Sequence, residues 1–143
     1  MNTGFRKRVR RVLAAAAFFA AASATGADND HAAAARELAQ NAMIVDTHID
    51  APYRIKVRWE DLAGRTEDGE FDWARAREGG LDIPFLVVYT PPRTEDEGTS
   101  FQVANTLFDH IEALAGRAPG KFVLARTAAE AEKAFEEGKI GLA

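Results

Sequence analysis

Apolar positions along this chain follow two rhythms. Met43-Ile44-Val45 leads into Asp46-Thr47-His48-Ile49-Asp50, and Leu81 to Tyr89 leads into Thr90-Pro91-Pro92. These short runs are rich in branched and aromatic residues and predict strands. A run without alternation suits a strand covered on both faces, as in a parallel sheet between helices. Elsewhere the spacing is helical. Val103, Ala104, Leu107, Phe108, Ile111, Leu114 and Ala115 recur behind a T-x-x-Q capping box, Thr99 to Gln102, and Gly116 with Pro119 ends the pattern. A second box, Thr127 to Glu130, starts a helix through Phe135 that Gly138 terminates. Asp72 to Arg77 predicts a short helical turn, with Asp72 as N-cap and Gly79-Gly80 as the stop. The alanine-rich run from His31 to Gln40 predicts a first helix capped by Asp28 or Asp30. Tyr53 to Glu70 and Arg93 to Gly98 read as polar loops, Lys121 to Ala125 as a short extended piece, and Lys139 to Ala143 as the start of another strand. Strand and helix alternate throughout, which is the signature of a parallel α/β fold.

The chemistry gathers where the first strand ends. Side chains at every second position of a strand point to one face, so His48 and Asp50 project together and can share one metal, and Asp46 precedes them on that face. In (β/α)-barrels the C-terminal strand ends form the active-site face. H-x-D alone is a common pattern, and its plainer reading is a histidine hydrogen-bonded to a neighbouring carboxylate. A catalytic zinc needs three protein ligands, of which this segment offers two. Asp46 reads either as a group that orients the ligands or as a carboxylate satisfied by backbone donors. His31 reads as a solvated first-turn residue, and His110 lies mid-helix, away from the strand ends. Tyr53 or Arg54 could meet a substrate carboxylate; the plainer reading is surface packing with solvated charge. Asp82, at the start of the second strand, is expected to make local hydrogen bonds.

Two segments carry a resemblance. Val45-Asp46-Thr47-His48-Ile49-Asp50-Ala51-Pro52 is similar to the first-strand signature V-D-x-H-x-D-x-P of the membrane dipeptidase (renal dipeptidase) family of zinc metallopeptidases. Phe71 to Asp82, with Phe85 and Tyr89-Thr90-Pro91 beyond, resembles that family's D-x-x-R-x-x-E-G-G segment and second strand. The resemblance runs from about residue 38 to the end. It implies a (β/α)8 TIM-type barrel, incomplete in this chain, with two zinc ions that cleave dipeptides. His48 and Asp50 match its first two metal ligands; a bridging carboxylate and two further histidines would come from later strands. The chain is thus expected to be an N-terminal portion, not competent alone. Pro84, inside the second strand, departs from regular pairing because it has no N–H.

Composition adds limits. Residues 1–24 read as a secretory signal: Arg6, Lys7, Arg8, Arg10 and Arg11 precede the apolar Val12 to Ala22, and Ala22-Ser23-Ala24 offers a cleavage site. The apolar stretch is too short to span a membrane. An exported location, periplasmic or extracellular, follows, with residues 25–143 as the portion of the hydrolase barrel. Removing residues 1–24 takes five of the 18 Lys+Arg and none of the 22 Asp+Glu, leaving a formal net charge of about −9. That balance argues against nucleic acid or an anionic membrane as partner. With no cysteine, a metal must use His and carboxylate. Two alternatives to the dipeptidase stand: another metal-dependent barrel amidohydrolase, many of which carry H-x-H in the first strand, or a non-catalytic exported binding protein or remnant.

Overall fold

The computed structural model describes residues 31–143; the expected signal and the expected cap at Asp28 or Asp30 lie outside the described residues. These residues belong to two units divided between Leu38 and Ala39. Residues 31–41 are helical (α1). Beyond them the unit 39–143 runs β1 (Ile44–Ile49), α2 (Ala51–Val57), α3 (Trp73–Gly79), β2 (Leu81–Leu86), α4 (Arg93–Asp96), α5 (Ser100–Arg117), β3 (Phe122–Leu124), α6 (Ala128–Glu136) and β4 (Ile140–Leu142). The chain is therefore an α/β protein with parallel pairing, β1 with β2 and β3 with β4.

Proline decides how these pairs meet. The Ala143 N–H donates to the Pro84 carbonyl at 3.1 Å, and the Leu86 N–H donates to the Ala143 carbonyl at 3.0 Å, so β4 lies against β2. The next rung of a parallel ladder would run from the residue 84 N–H to the Gly141 carbonyl, and proline has no hydrogen to give. The ladder stops there, leaving two two-stranded sheets joined at one end. The β1–β2 register slips at the same level, where Asp46 faces Pro84 and the next pair is Ile49 with Leu86. Three steps on β1 match two on β2, which is a bulge.

Hydrophobic burial follows most of the predicted stripes. Leu107, Ile111 and Leu114 of α5 join Ile55 of α2, Leu62, Phe71, Leu86, Phe122, Ile140 and Leu142 in the core. Gly141 is a close-packing position: a Cβ there would stand 2.8 Å from Ile83 Cδ1 and 3.2 Å from the Cβ atoms of Ala125 and Ala134. Asp72 caps α3 as expected, accepting from the Arg75 N–H, and Gly80 closes that helix at φ +83°. Thr127 caps α6 by accepting from the Glu130 N–H, and Gly138 lies at φ +66° beyond it.

Several expectations change. The first strand is not covered on both faces: Val45 is 44% exposed, its side chain facing an open hollow. The second strand ends at Leu86 rather than Tyr89, with Phe85 and Tyr89 both exposed. The segment read as a loop from Tyr53 opens inside α2, whose second residue is Pro52, a residue that tolerates the first turn of a helix. Arg93 to Asp96 form the single turn α4. The T-x-x-Q box is not made. Thr99 has helical dihedrals and donates its N–H to the Thr94 carbonyl at 2.8 Å, completing the preceding turn, so its hydroxyl cannot cap α5. Phe108 lies on the exposed side of that helix.

Candidate metal centre

The bulge in β1 sets the backbone of the candidate site. His48 sits inside it, and the His48 N–H donates to Asp46 Oδ1 at 2.9 Å. An Asp side chain that accepts from the amide two residues on is a local motif, and here it satisfies an amide within the slipped stretch of the ladder. The Asp46 carboxylate thus acts on the main chain of His48.

Asp50 ends the segment at the N-cap of α2 yet makes no capping hydrogen bond. An N-cap aspartate ordinarily accepts from the amide of the second or third helical residue. Pro52 occupies the second place and has no amide proton. The carboxylate is left over, and Asp50 Oδ2 lies 3.4 Å from His48 Nε2, with both side chains about two-thirds exposed. An imidazole nitrogen and a free carboxylate oxygen side by side are two ligands of the kind zinc takes. No group of three or more His, Cys, Asp or Glu suited to a metal stands together among the described residues. His110 lies apart from the pair, with its ring 6.4 Å from that of Trp59.

The cleft beside the pair has a volume of about 370 Å3, and Asp46, His48 and Asp50 share it with Glu70, Phe71 and Arg75. A larger hollow of about 810 Å3 contains none of the three. It is mostly apolar, is reached by Val45 and Thr47 from the alternate positions of β1, and includes Phe85, Phe108 and Leu142. The polar chemistry belongs to the smaller space.

Two hubs hold the wall of that cleft, and sequence reasoning foresaw only part of one. Asp72 is fully buried. Its carboxylate accepts from the Arg75 N–H at 2.8 Å and the Thr66 N–H at 3.0 Å, lies 3.1 Å from the Thr66 hydroxyl, and pairs with the Arg75 guanidinium. Burial pushes the Asp72 carboxyl up, but the hydrogen bonds from Arg75 and Thr66 outweigh it and hold the group below the usual carboxylate range. The second hub is Arg54, which turns away from a solvated position. Its guanidinium pairs with Glu60 and donates to the carbonyls of Asp68 and Phe71, each at 2.9 Å. Tyr53 packs edge-on against Tyr89, with ring centroids 5.4 Å apart. Asp82 makes a local bond as expected, accepting from Arg77 at 3.2 Å, and also a non-local one, accepting from the Ile44 N–H of β1 at 3.0 Å.

Comparison with curated proteins gives no match. The family model for membrane dipeptidase (peptidase family M19) matches residues 32–143, which includes β1, its H-x-D pair and every element that follows. The chain accordingly belongs to the membrane dipeptidase family of peptidases, a family of dipeptidase-type hydrolases.

Proposed function

We propose that this chain supplies the first-strand metal ligands of a zinc-dependent dipeptidase, built as a (β/α)8 barrel of which residues 25–143 are the N-terminal portion. The observation that carries the reading is the uncapped carboxylate of Asp50 beside His48 Nε2 at the C-terminal end of β1, within a chain of the M19 family. The donor set fits zinc as part of a site: one imidazole nitrogen, one carboxylate, no thiolate, and both groups open to solvent. The bridging carboxylate and two histidines that the family resemblance implies would come from outside residues 31–143. Bound there, a zinc pair supplies Lewis acidity toward the peptide carbonyl and a water nucleophile at neutral pH.

The residues of this chain do the holding. His48 and Asp50 bind, and Asp46 keeps the His48 backbone in the bulge from which its ring reaches the carboxylate. Glu70, Phe71 and Arg75 form the cleft wall against which a dipeptide would rest. The signal-like residues 1–24 would place the protein outside the cytoplasm.

The test is zinc-dependent hydrolysis of an unblocked dipeptide by the protein as its whole reading frame encodes it. His48→Ala and Asp50→Ala are each expected to lower kcat/KM by at least about a hundredfold, and the 143-residue chain alone is expected to show no turnover. Full activity in either variant would overturn the assignment of the ligands, and turnover by the isolated chain would overturn the need for further strands.

A further inference from the structure

A short helix whose N-cap side chain is turned away has to be held by something else. α2 has seven residues, too few to persist by its own hydrogen bonds. Its N-cap aspartate gives no cap bond, and Pro52 removes one of the amides a cap would serve. Ala51, Pro52 and Ile55 bury one face of α2, and its polar anchor is Arg54, one turn after Asp50. The Arg54 N–H donates to the Asp50 carbonyl at 3.2 Å, so the residue is bonded directly to the main chain of the candidate ligand. From the same residue the guanidinium crosses to the loop before α3, where it pairs with Glu60 and reaches the carbonyls of Asp68 and Phe71. Glu60 closes the ring, since Glu60 Oε1 accepts from the N–H groups of Glu67 and Asp68 at 3.1 and 3.2 Å.

Gly69 shows that the loop is shaped around this guanidinium. A Cβ at Gly69 would come within 2.5 Å of Arg54 Cζ, and the residue lies at φ +82°, a conformation suited to glycine. The loop is open at the one point where the arginine passes. Its two ends are Glu60, and Glu70 with Phe71, the latter pair facing the cleft of His48 and Asp50.

We propose that Arg54 is a positioning residue for the metal pair. By anchoring α2 to the 60–71 loop, it holds in place the helix whose N-cap carboxylate is turned toward His48, so that the Asp50 carboxylate stays where it can bind metal. This rests on reading His48 and Asp50 as ligands. The residue would act through Asp50 and the cleft wall and would touch neither metal nor substrate.

The experiment measures zinc affinity of the protein as its whole reading frame encodes it, by competition with a chromophoric chelator, with His48→Ala as the baseline for adventitious binding. It is run at a temperature where far-UV circular dichroism shows each variant folded. Arg54→Met and Gly69→Ala, the second displacing the guanidinium without removing it, are each expected to weaken the His48-dependent dissociation constant about tenfold or more. Arg54→Lys, which keeps a cation near Glu60 but cannot span two carbonyls, is expected to fall between. Arg65→Met, which removes only the surface pair with Glu78, is expected to bind as the parent does. A lower melting temperature with unchanged zinc affinity in the folded variants would make Arg54 merely structural and overturn the proposal. No His48-dependent binding in the parent would overturn the ligand assignment as well, so the two failures are distinguishable.

Discussion

Replacing Asp72 by Asn tests whether the loop beside the candidate site is held by one buried charge. The substitution keeps the shape and one carbonyl oxygen, which can stay on the Arg75 N–H as the α3 cap. The other oxygen becomes an NH2 group facing the Thr66 N–H and the Arg75 guanidinium, donors against donors. A buried amide left without an acceptor costs about 1–3 kcal/mol. The guanidinium is about one-third exposed and can recover part of its solvation, which adds about 1 kcal/mol rather than the cost of a fully buried ion. The sum is about 2–4 kcal/mol, against a typical domain stability of about 5–15 kcal/mol. Urea unfolding followed by the fluorescence of Trp59 and Trp73 measures it. The pH dependence supplies a second check. The folded-state value of Asp72 lies below its ordinary 3.8, so its contribution is complete above that value and is lost as pH falls through the folded value. The stability gap between parent and Asp72→Asn should therefore be constant from about pH 7 to pH 5 and narrow below about pH 4. A gap under about 1 kcal/mol at neutral pH, or one that does not narrow in acid, would refute the reasoning.

Other substitutions probe the sheet. Asp82→Ala removes the acceptor for the Ile44 N–H and the partner of Arg77, and should cost about 1–3 kcal/mol, with faster hydrogen exchange at the Ile44 amide as the local readout. Gly141→Ala forces a methyl against Ile83, Ala125 and Ala134, and is expected to lose about 1–3 kcal/mol, read as a melting temperature lower by several degrees. Val45→Lys places a charge on the exposed face of β1, a strand with one free edge among the described residues. Sedimentation velocity should show less self-association than in the parent, and equal association would mean that this edge is not the adhesive surface.

Elements announced by local pattern were legible in the chain. α5 carries an apolar stripe at helical spacing, α6 opens on a Thr-x-x-Glu box and closes before a glycine, and α3 lies between an N-cap aspartate and a left-handed glycine, all signals within a few residues of one another. α2 gave no comparable signal. Its seven residues include a proline and three charges or phenols, and its burial rests on Ala51, Pro52 and Ile55 meeting α5, a partner some fifty residues away. The T-x-x-Q motif misled for a related reason. Capping needs Thr99 in an extended conformation, and the turn α4, through the Thr94 carbonyl, holds it helical instead. Pro84 signalled irregular pairing but not which neighbour would lose its rung. That depends on β4 settling beside β2, a non-local outcome.

The same division runs through the site. H-x-D is readable because it sets two ligand types two residues apart, and the two groups do lie 3.4 Å from one another, although a bulge interrupts the alternation at His48 and Asp50 stands past the strand at the N-cap of α2. Part of what leaves the carboxylate uncapped was also written locally, in the step from Asp50 to Pro52, since a proline in the second helical place takes away one of the two amides an N-cap would bind. What holds the helix in compensation was not. Arg54 meets Glu60, Asp68 and Phe71 at separations of 6, 14 and 17 residues, and no periodicity links them. The one local trace is Gly69, whose missing side chain is the space the guanidinium occupies. A ligand pair at a strand end therefore carries two kinds of information. The donor atoms follow from the motif itself, whereas on the proposed reading the rigidity that would turn them into a binding site comes from a loop whose residues, taken singly, look like ordinary surface charge.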